Sequence, residues 1–260
     1  MISQLKNHLS KISPIFFELI QMSKRYIPIK NRWQHHREAS ILSMVGGWLN
    51  TVSFIALFGI YTNHITGYIV TAGIETIVGG LGLWIIFISA FIVTISLTAW
   101  CEHKWKETYP NILLAFFVAE TAFLSLFMLS GLFFGPFESV ADLGAIITAV
   151  FGIIAMGIRN AMIRTLLSNI TTSTLMTGNI AQLTIDLTLI YSSPDVSQEK
   201  KNTAKQNISK ILPSVLSFAT GAILGAICYM LIGFLCMIVP ILSMIYICYR
   251  EWRFSFLHAH

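Results

Sequence analysis

The chain has 260 residues, of which 55% are hydrophobic and only 11% charged, against roughly a quarter charged in ordinary soluble proteins. At a mean hydropathy of +0.71, a soluble domain of this length lacks the interior to hide its apolar side chains. That excludes a secreted domain, a cytosolic enzyme and a nucleic-acid binder, and makes the net charge of +5 a record of membrane topology rather than of a nucleic-acid partner.

Seven of the 17 basic residues lie before residue 40. Apolar Ile2, Leu5, Leu9 and Ile12 recur at helical spacing among Lys6 and Lys11. Residues 1–40 read as a basic cytoplasmic segment, either a surface-lying amphipathic helix or a tail. Pro14 and Glu18 break its first apolar run, so a signal peptide is not expected.

The other basic residues are Lys104 and Lys106, six between Arg159 and Lys210, and Arg250 with Arg253. The stretches 38–103, 107–158 and 211–249 contain no Lys or Arg. A spanning helix needs about 20 apolar residues, so each stretch holds two. The predicted spans are Ile41–Tyr61, Leu81–Cys101, Ile112–Leu132, Asp142–Met162, Ile211–Tyr229 and Ile232–Cys248, with a turn near Gly233 and a kink at Pro240. Every basic cluster then falls on one face, with both termini cytoplasmic. The expected organisation is a membrane domain over 41–250, a polar loop at Ser192–Asn207 and a short tail at 251–260.

Cys101, Cys228, Cys236 and Cys248 lie in or beside predicted spans, without a CxxC pair. Neither a metal, a disulfide framework nor another cofactor is implied. Ser43, His64 and His103 lie at different depths and form no nucleophile–base set, so an enzyme is not expected. Gly221, Ala222, Gly225 and Ala226, and Gly144, Thr148 and Gly152, form small-residue stripes suited to close helix crossing, with homodimerisation as a second use.

An internal repeat organises the spans. Gly47 and Asn50 recur as Gly157 and Asn160 at an offset of 110. Thr66-Gly67 recurs as Thr177-Gly178 at an offset of 111, and Ile74-Glu75 as Ile185-Asp186 in the same register. The unit, about 41–132 and then 142–248, holds three spans. An odd number inverts the second copy. The predicted fold is therefore all-α and polytopic, six transmembrane helices in a 3+3 inverted-topology repeat, with the Thr-Gly segments as candidate short or re-entrant helices. Such repeats place solute sites where their broken helices meet.

The signatures Gly47-x-x-Asn50, Thr66-Gly67, Met156-Gly157-x-x-Asn160-Ala161 and Thr177-Gly178-Asn179 resemble those of the bacterial YoaK-type membrane proteins, a family of unknown function, over about 41–250. The resemblance implies an inner-membrane protein, sometimes described as a permease without a settled substrate. Three positions depart from the family's tendency: Tyr68 follows Thr66-Gly67 where Asn is usual, Asn50 is often acidic in relatives, and Arg159 stands in place of a neutral amide.

Within the spans, polar groups are the candidates for function. Asn50, Thr66, Gly67, Asn160, Thr177, Gly178 and Asn179 are candidate solute-binding residues; the alternative is hydrogen bonding that closes helix packing. Glu120, in the middle of an apolar span, is the first candidate for proton coupling, with Glu75 and Asp186 beside it. Counted from Pro136, Glu120 and Arg159 differ by seven residues in height, about 10 Å, so a direct pair is not favoured. The expected function is a secondary transporter or permease for a small polar or anionic solute in the lipid bilayer, without a nucleic-acid partner. The alternative is a non-transporting scaffold or regulatory membrane protein.

Overall fold

A computed structural model describes residues 36–79, 81–109, 111–167, 176–192 and 197–257. The N-terminal amphipathic repeat lies outside the described residues. Among those described, regular structure is entirely helical: α1 (His36–Ala56), α2 (Ile65–Val78), α3 (Leu81–Trp105), α4 (Ile112–Phe134), α5 (Leu143–Thr165), α6 (Met176–Ser192), α7 (Gln198–Ile232) and α8 (Ile238–Leu257). A 3-10 turn over Gly233–Met237 joins the last two.

Five stretches are long and apolar enough to cross a membrane: Arg37–Ala56, Gly82–Trp105, Ile112–Phe134, Leu143–Thr165 and the 59-residue run Gln198–Phe256. Their outward faces are apolar as well, with Ile85, Ile92, Val93 and Leu97 on α3 and Leu231, Leu242 and Ile245 on α7 and α8 all exposed. Lipid is the solvent that suits such a surface. The 59-residue run is broken at Gly233, whose φ of +58° a residue with a Cβ adopts only with strain.

Two sequence expectations change here. The Ser192–Asn207 loop is in large part helix, since α7 already begins at Gln198. Glu199 lies in the first turn and buried Ala204 on the packed side, so short-range helical order prevails over the polar composition. At 35 residues α7 is about 52 Å long and carries Lys200, Lys201, Lys205 and Lys210 along its first half. Pro240 sits in the first turn of α8, where its missing N–H has no intrahelical partner to lose; the break lies at Gly233 instead.

Helices α1 and α5 form the centre, with 61% and 72% of their spanning residues buried. Helix α1 packs along α7 and α5 along α3 and α4, while α2 lies on α3, α6 on α7, and α8 on α4 and α1. The α1–α7 crossing is backbone on backbone. A Cβ at Gly47 would strike the carbonyl of Phe218, one at Gly221 the carbonyl of Met44, and one at Gly225 the backbone of Trp48. Gly144 and Gly152 are filled against by Phe134 and Thr62. Both small-residue stripes are thus used for packing inside the chain.

The α4–α5 hairpin is tied by Asp142. Its Oδ2 accepts the backbone N–H groups of Glu138 at 2.6 Å and Ser139 at 2.9 Å, and its Oδ1 the Ser139 hydroxyl at 3.1 Å. The Ser139 N–H foremost, and then that of Glu138, hold this carboxyl below the ordinary aspartate range.

Two outcomes follow. Gly47→Leu lowers the unfolding temperature in detergent by the equivalent of about 3 kcal/mol or more, because the obstacle is backbone and cannot rotate away, whereas Gly73→Ala, with nothing within 4 Å of the new Cβ, leaves it unchanged or raised. Because the folded pKa of Asp142 is lowered, its contribution is complete above the unfolded value of about 3.9 and fades as pH falls through the folded value. Melting curves of Asp142→Asn and wild type should therefore differ at neutral pH and converge in acid.

Candidate functional site

Arg159 and Glu120 form an ion pair with neither side chain exposed to solvent. Arg159 Nη1 also donates to the Leu42 carbonyl at 2.8 Å, and Nη2 donates to Met244 Sδ at 3.3 Å. One guanidinium on α5 thus reaches α4, α1 and α8. This corrects the expected mismatch in height. All of the connecting segment lies between Phe134 and Leu143, mostly beyond Pro136. Measured from the helix ends, Glu120 is fourteen residues deep and Arg159 sixteen, a difference of about 3 Å.

One helical step on, Asn160 faces a different partner. Its amide donates to Asn63 Oδ1 and, at 2.8 Å, to the Met156 carbonyl. Asn50 Oδ1 accepts the Thr62 hydroxyl at 3.2 Å. These bonds join the Asn of each Gly-x-x-Asn pattern to the segment Thr62-Asn63-His64, between α1 and α2. Around it lies a cavity of about 420 Å³. Its polar lining is Asn50, Asn63, His64 and Thr66 from the first half, and Asn160, Arg164 and Thr177 from the second. Phe91 and Ile95 of α3 and Phe218 of α7 supply apolar wall. Thr66 lies in the first turn of α2, whose Gly67 and Tyr68 N–H groups bond the His64 carbonyl at 3.0 and 3.3 Å, and Thr177 is the second described residue of α6.

Of the expected binding residues, Asn50, Thr66, Asn160, Thr177 and Gly178 line this one cavity. Gly67 does not; it fits against His64, whose Nδ1 would lie 2.7 Å from a Cβ there. Asn179 is not among the described lining residues; its Nδ2 lies 4.0 Å from Met176 Sδ. The carboxylates expected to couple protons lie elsewhere. Glu120 is in the ion pair, Asp186 is buried on α6 with Gln182 donating to it at 3.1 Å, and Glu75 is half-buried on α2. Asn63, His64 and Arg164 were not expected as lining residues. Arg164 belongs to the basic cluster between Arg159 and Lys210 that marks topology, and nothing in the pattern marks Asn63.

The ion pair has a measurable signature. Glu120→Gln leaves a buried guanidinium without its counter-charge and destabilises the protein by about 3–5 kcal/mol. Adding Arg159→Met to that variant recovers most of the loss in thermal unfolding, because no charge then remains buried.

Neither a curated protein nor a solved structure matches the chain. Residues 39–249, which include every residue of the cavity and the ion pair, match the family described as Protein of unknown function (DUF1275). The chain belongs to that family, which is the family of the YoaK-type membrane proteins.

Proposed function

We propose that the protein is a permease with six crossings in two inverted halves, carrying a small polar or anionic solute across a bacterial inner membrane, with both termini on the cytoplasmic side. The observation that carries this reading is the cavity. It gathers the repeated Asn and Thr residues of both halves in one place, as sites between inverted repeats do.

The packing supports the two halves. Exchanging α1, α2, α3 and α4 with α5, α6, α7 and α8 turns the α1–α7 contact into α5–α3, α2–α3 into α6–α7, and α4–α5 into α8–α1, each of which occurs. The repeated glycines follow the same exchange: Gly47 meets α7 at Phe218 and Gly157 meets α3 at Thr94. In this reading α2 and α6 are the short broken helices. The run Gln198–Phe256 crosses twice, turning at Gly233, and the basic clusters favour the orientation with both termini inside.

A proton gradient is the candidate driving force, with Glu120 and Asp186 as its carriers. No phosphate-binding loop occurs in the sequence. A scaffold without transport is the competing reading, and one observation favours it: Asn50 and Asn160 already bond to Thr62 and Asn63.

Uptake into proteoliposomes across a panel of neutral, anionic and cationic solutes, with and without a pH gradient, separates the two. A permease takes up at least one solute, and Asn160→Leu cuts that uptake by about tenfold or more, the worth of one or two lost hydrogen bonds. In the Glu120→Gln, Arg159→Met variant, whose stability is restored, uptake continues and no longer responds to the pH gradient. No uptake of any solute by folded wild type overturns the permease reading and leaves the scaffold.

A further inference from the structure

We propose that the solute of this cavity is a small organic monocarboxylate, held by its carboxylate at Arg164 and by its apolar body against α3 and α7; the proposal rests on the permease reading above. Three independent features of the cavity converge on it.

The first is the sign of the charge. Arg164 lines the cavity, as does His64, and no Asp or Glu is among the described lining residues. Arg164 is exposed, and among the described residues it forms no ion pair, in contrast to Arg159, whose charge Glu120 meets. A planar guanidinium open to a cavity is suited to a carboxylate that it can meet with two parallel N–H groups. Asn63, Thr66 and Thr177 add neutral groups able to donate, and the first turn of α2 adds partial positive charge of the same sign.

The second is the number of charges. In the register that equates Asn50 with Asn160, the counterpart of Arg164 is Phe54. The repeat therefore duplicates the amides and not the cation. One Arg suits a monoanion; a compact divalent oxyanion leaves half its charge without a partner of its own, in a wall that is apolar on the other side.

The third is the wall. Phe91, Ile95 and Phe218 form one side, with Ile65 and Met176 beside the helix starts. Inorganic oxyanions gain nothing from such a surface, whereas an organic acid buries its hydrocarbon there. The volume of about 420 Å³ is that of roughly fourteen water molecules at about 30 Å³ each, enough for a ring or short chain together with some water.

The test uses radiolabelled benzoate, its neutral isostere benzamide, and sulfate, on full-length protein in proteoliposomes and in detergent. The expected results are uptake of benzoate above both of the others, and a rise in the benzoate KM of roughly tenfold to a hundredfold in Arg164→Gln, the worth of a charge-assisted hydrogen bond. Arg164→Lys keeps the charge and loses less. Benzoate should raise the melting temperature of wild type and fail to raise that of Arg164→Gln, whose own melting temperature is unchanged because the side chain is exposed. Benzamide uptake equal to that of benzoate, or benzoate uptake indifferent to Arg164→Gln, overturns the monocarboxylate and leaves the permease standing. Sulfate preferred over benzoate overturns it likewise. Absence of benzoate uptake and of any thermal shift overturns it too; uptake of another solute of the wider panel then keeps the permease, and uptake of none removes both.

Discussion

A full charge placed at lipid depth must be met by another, and the Arg159–Glu120 pair meets that constraint at the centre of this protein. Removing either partner leaves a buried charge, so the helices that carry them are held at one relative height. The same guanidinium bonds the α1 backbone at Leu42 and touches Met244 of α8. Four helices are thereby fixed around one side chain. The positions of Asn160, the next residue of α5, and of Arg164, one turn further, depend on that fixation. A single rigid helix thus presents a structural charge to the interior and, at Arg164, a charge to the cavity that no described carboxylate meets.

The glycine contacts act as the complement of this pin. Where Gly47, Gly221 and Gly225 bring α1 and α7 into backbone contact, no room is left between them. Space opens instead beside the start of α2, which at 14 residues is about 21 Å long and falls short of the roughly 30 Å of a hydrocarbon core. The hydrogen bonds of Asn50 and Asn160 to Thr62 and Asn63 hold the connecting segment at the edge of that space. A solute entering the cavity would meet amides already oriented by the protein and one cation that is not. Preorganised neutral groups with a single cation that no described residue pairs are a physical basis for selecting by charge while still allowing release.

Much of this was legible in the sequence because it follows from periodicity and sign. The stretches without Lys or Arg delimited the apolar helices, since basic side chains are the costliest to bury in lipid. The Thr-Gly pairs marked the first turns of α2 and α6, and the repeated Gly-x-x-Asn brought Asn50 and Asn160 to one cavity. The contact between Glu120 and Arg159 was not legible, because the count was centred on Pro136 and the connecting segment is asymmetric about it. A loop's path is set by groups such as Asp142, whose bonds to Glu138 and Ser139 place the start of α5, and helix counting does not see them. The first turns of α7 were misjudged for a related reason: their polar composition hides a helix that extends beyond the apolar region. Asn63 and His64 joined the cavity through tertiary placement of a short connecting segment, which no spacing rule predicts.

The central claim is that the paired Asn and Thr residues line a wet cavity rather than dry helix contacts. The most direct measurement is thiol accessibility in membrane vesicles, on a background with the four native cysteines replaced. Single cysteines at Asn50, Asn160, Thr66 and Thr177 should react with a membrane-impermeant thiol reagent, while cysteines at Val45 and Ile153, both fully buried in the core, should not. Equal inertness at all six positions would contradict the account, because polar groups packed dry can hold helices together but cannot pass a solute.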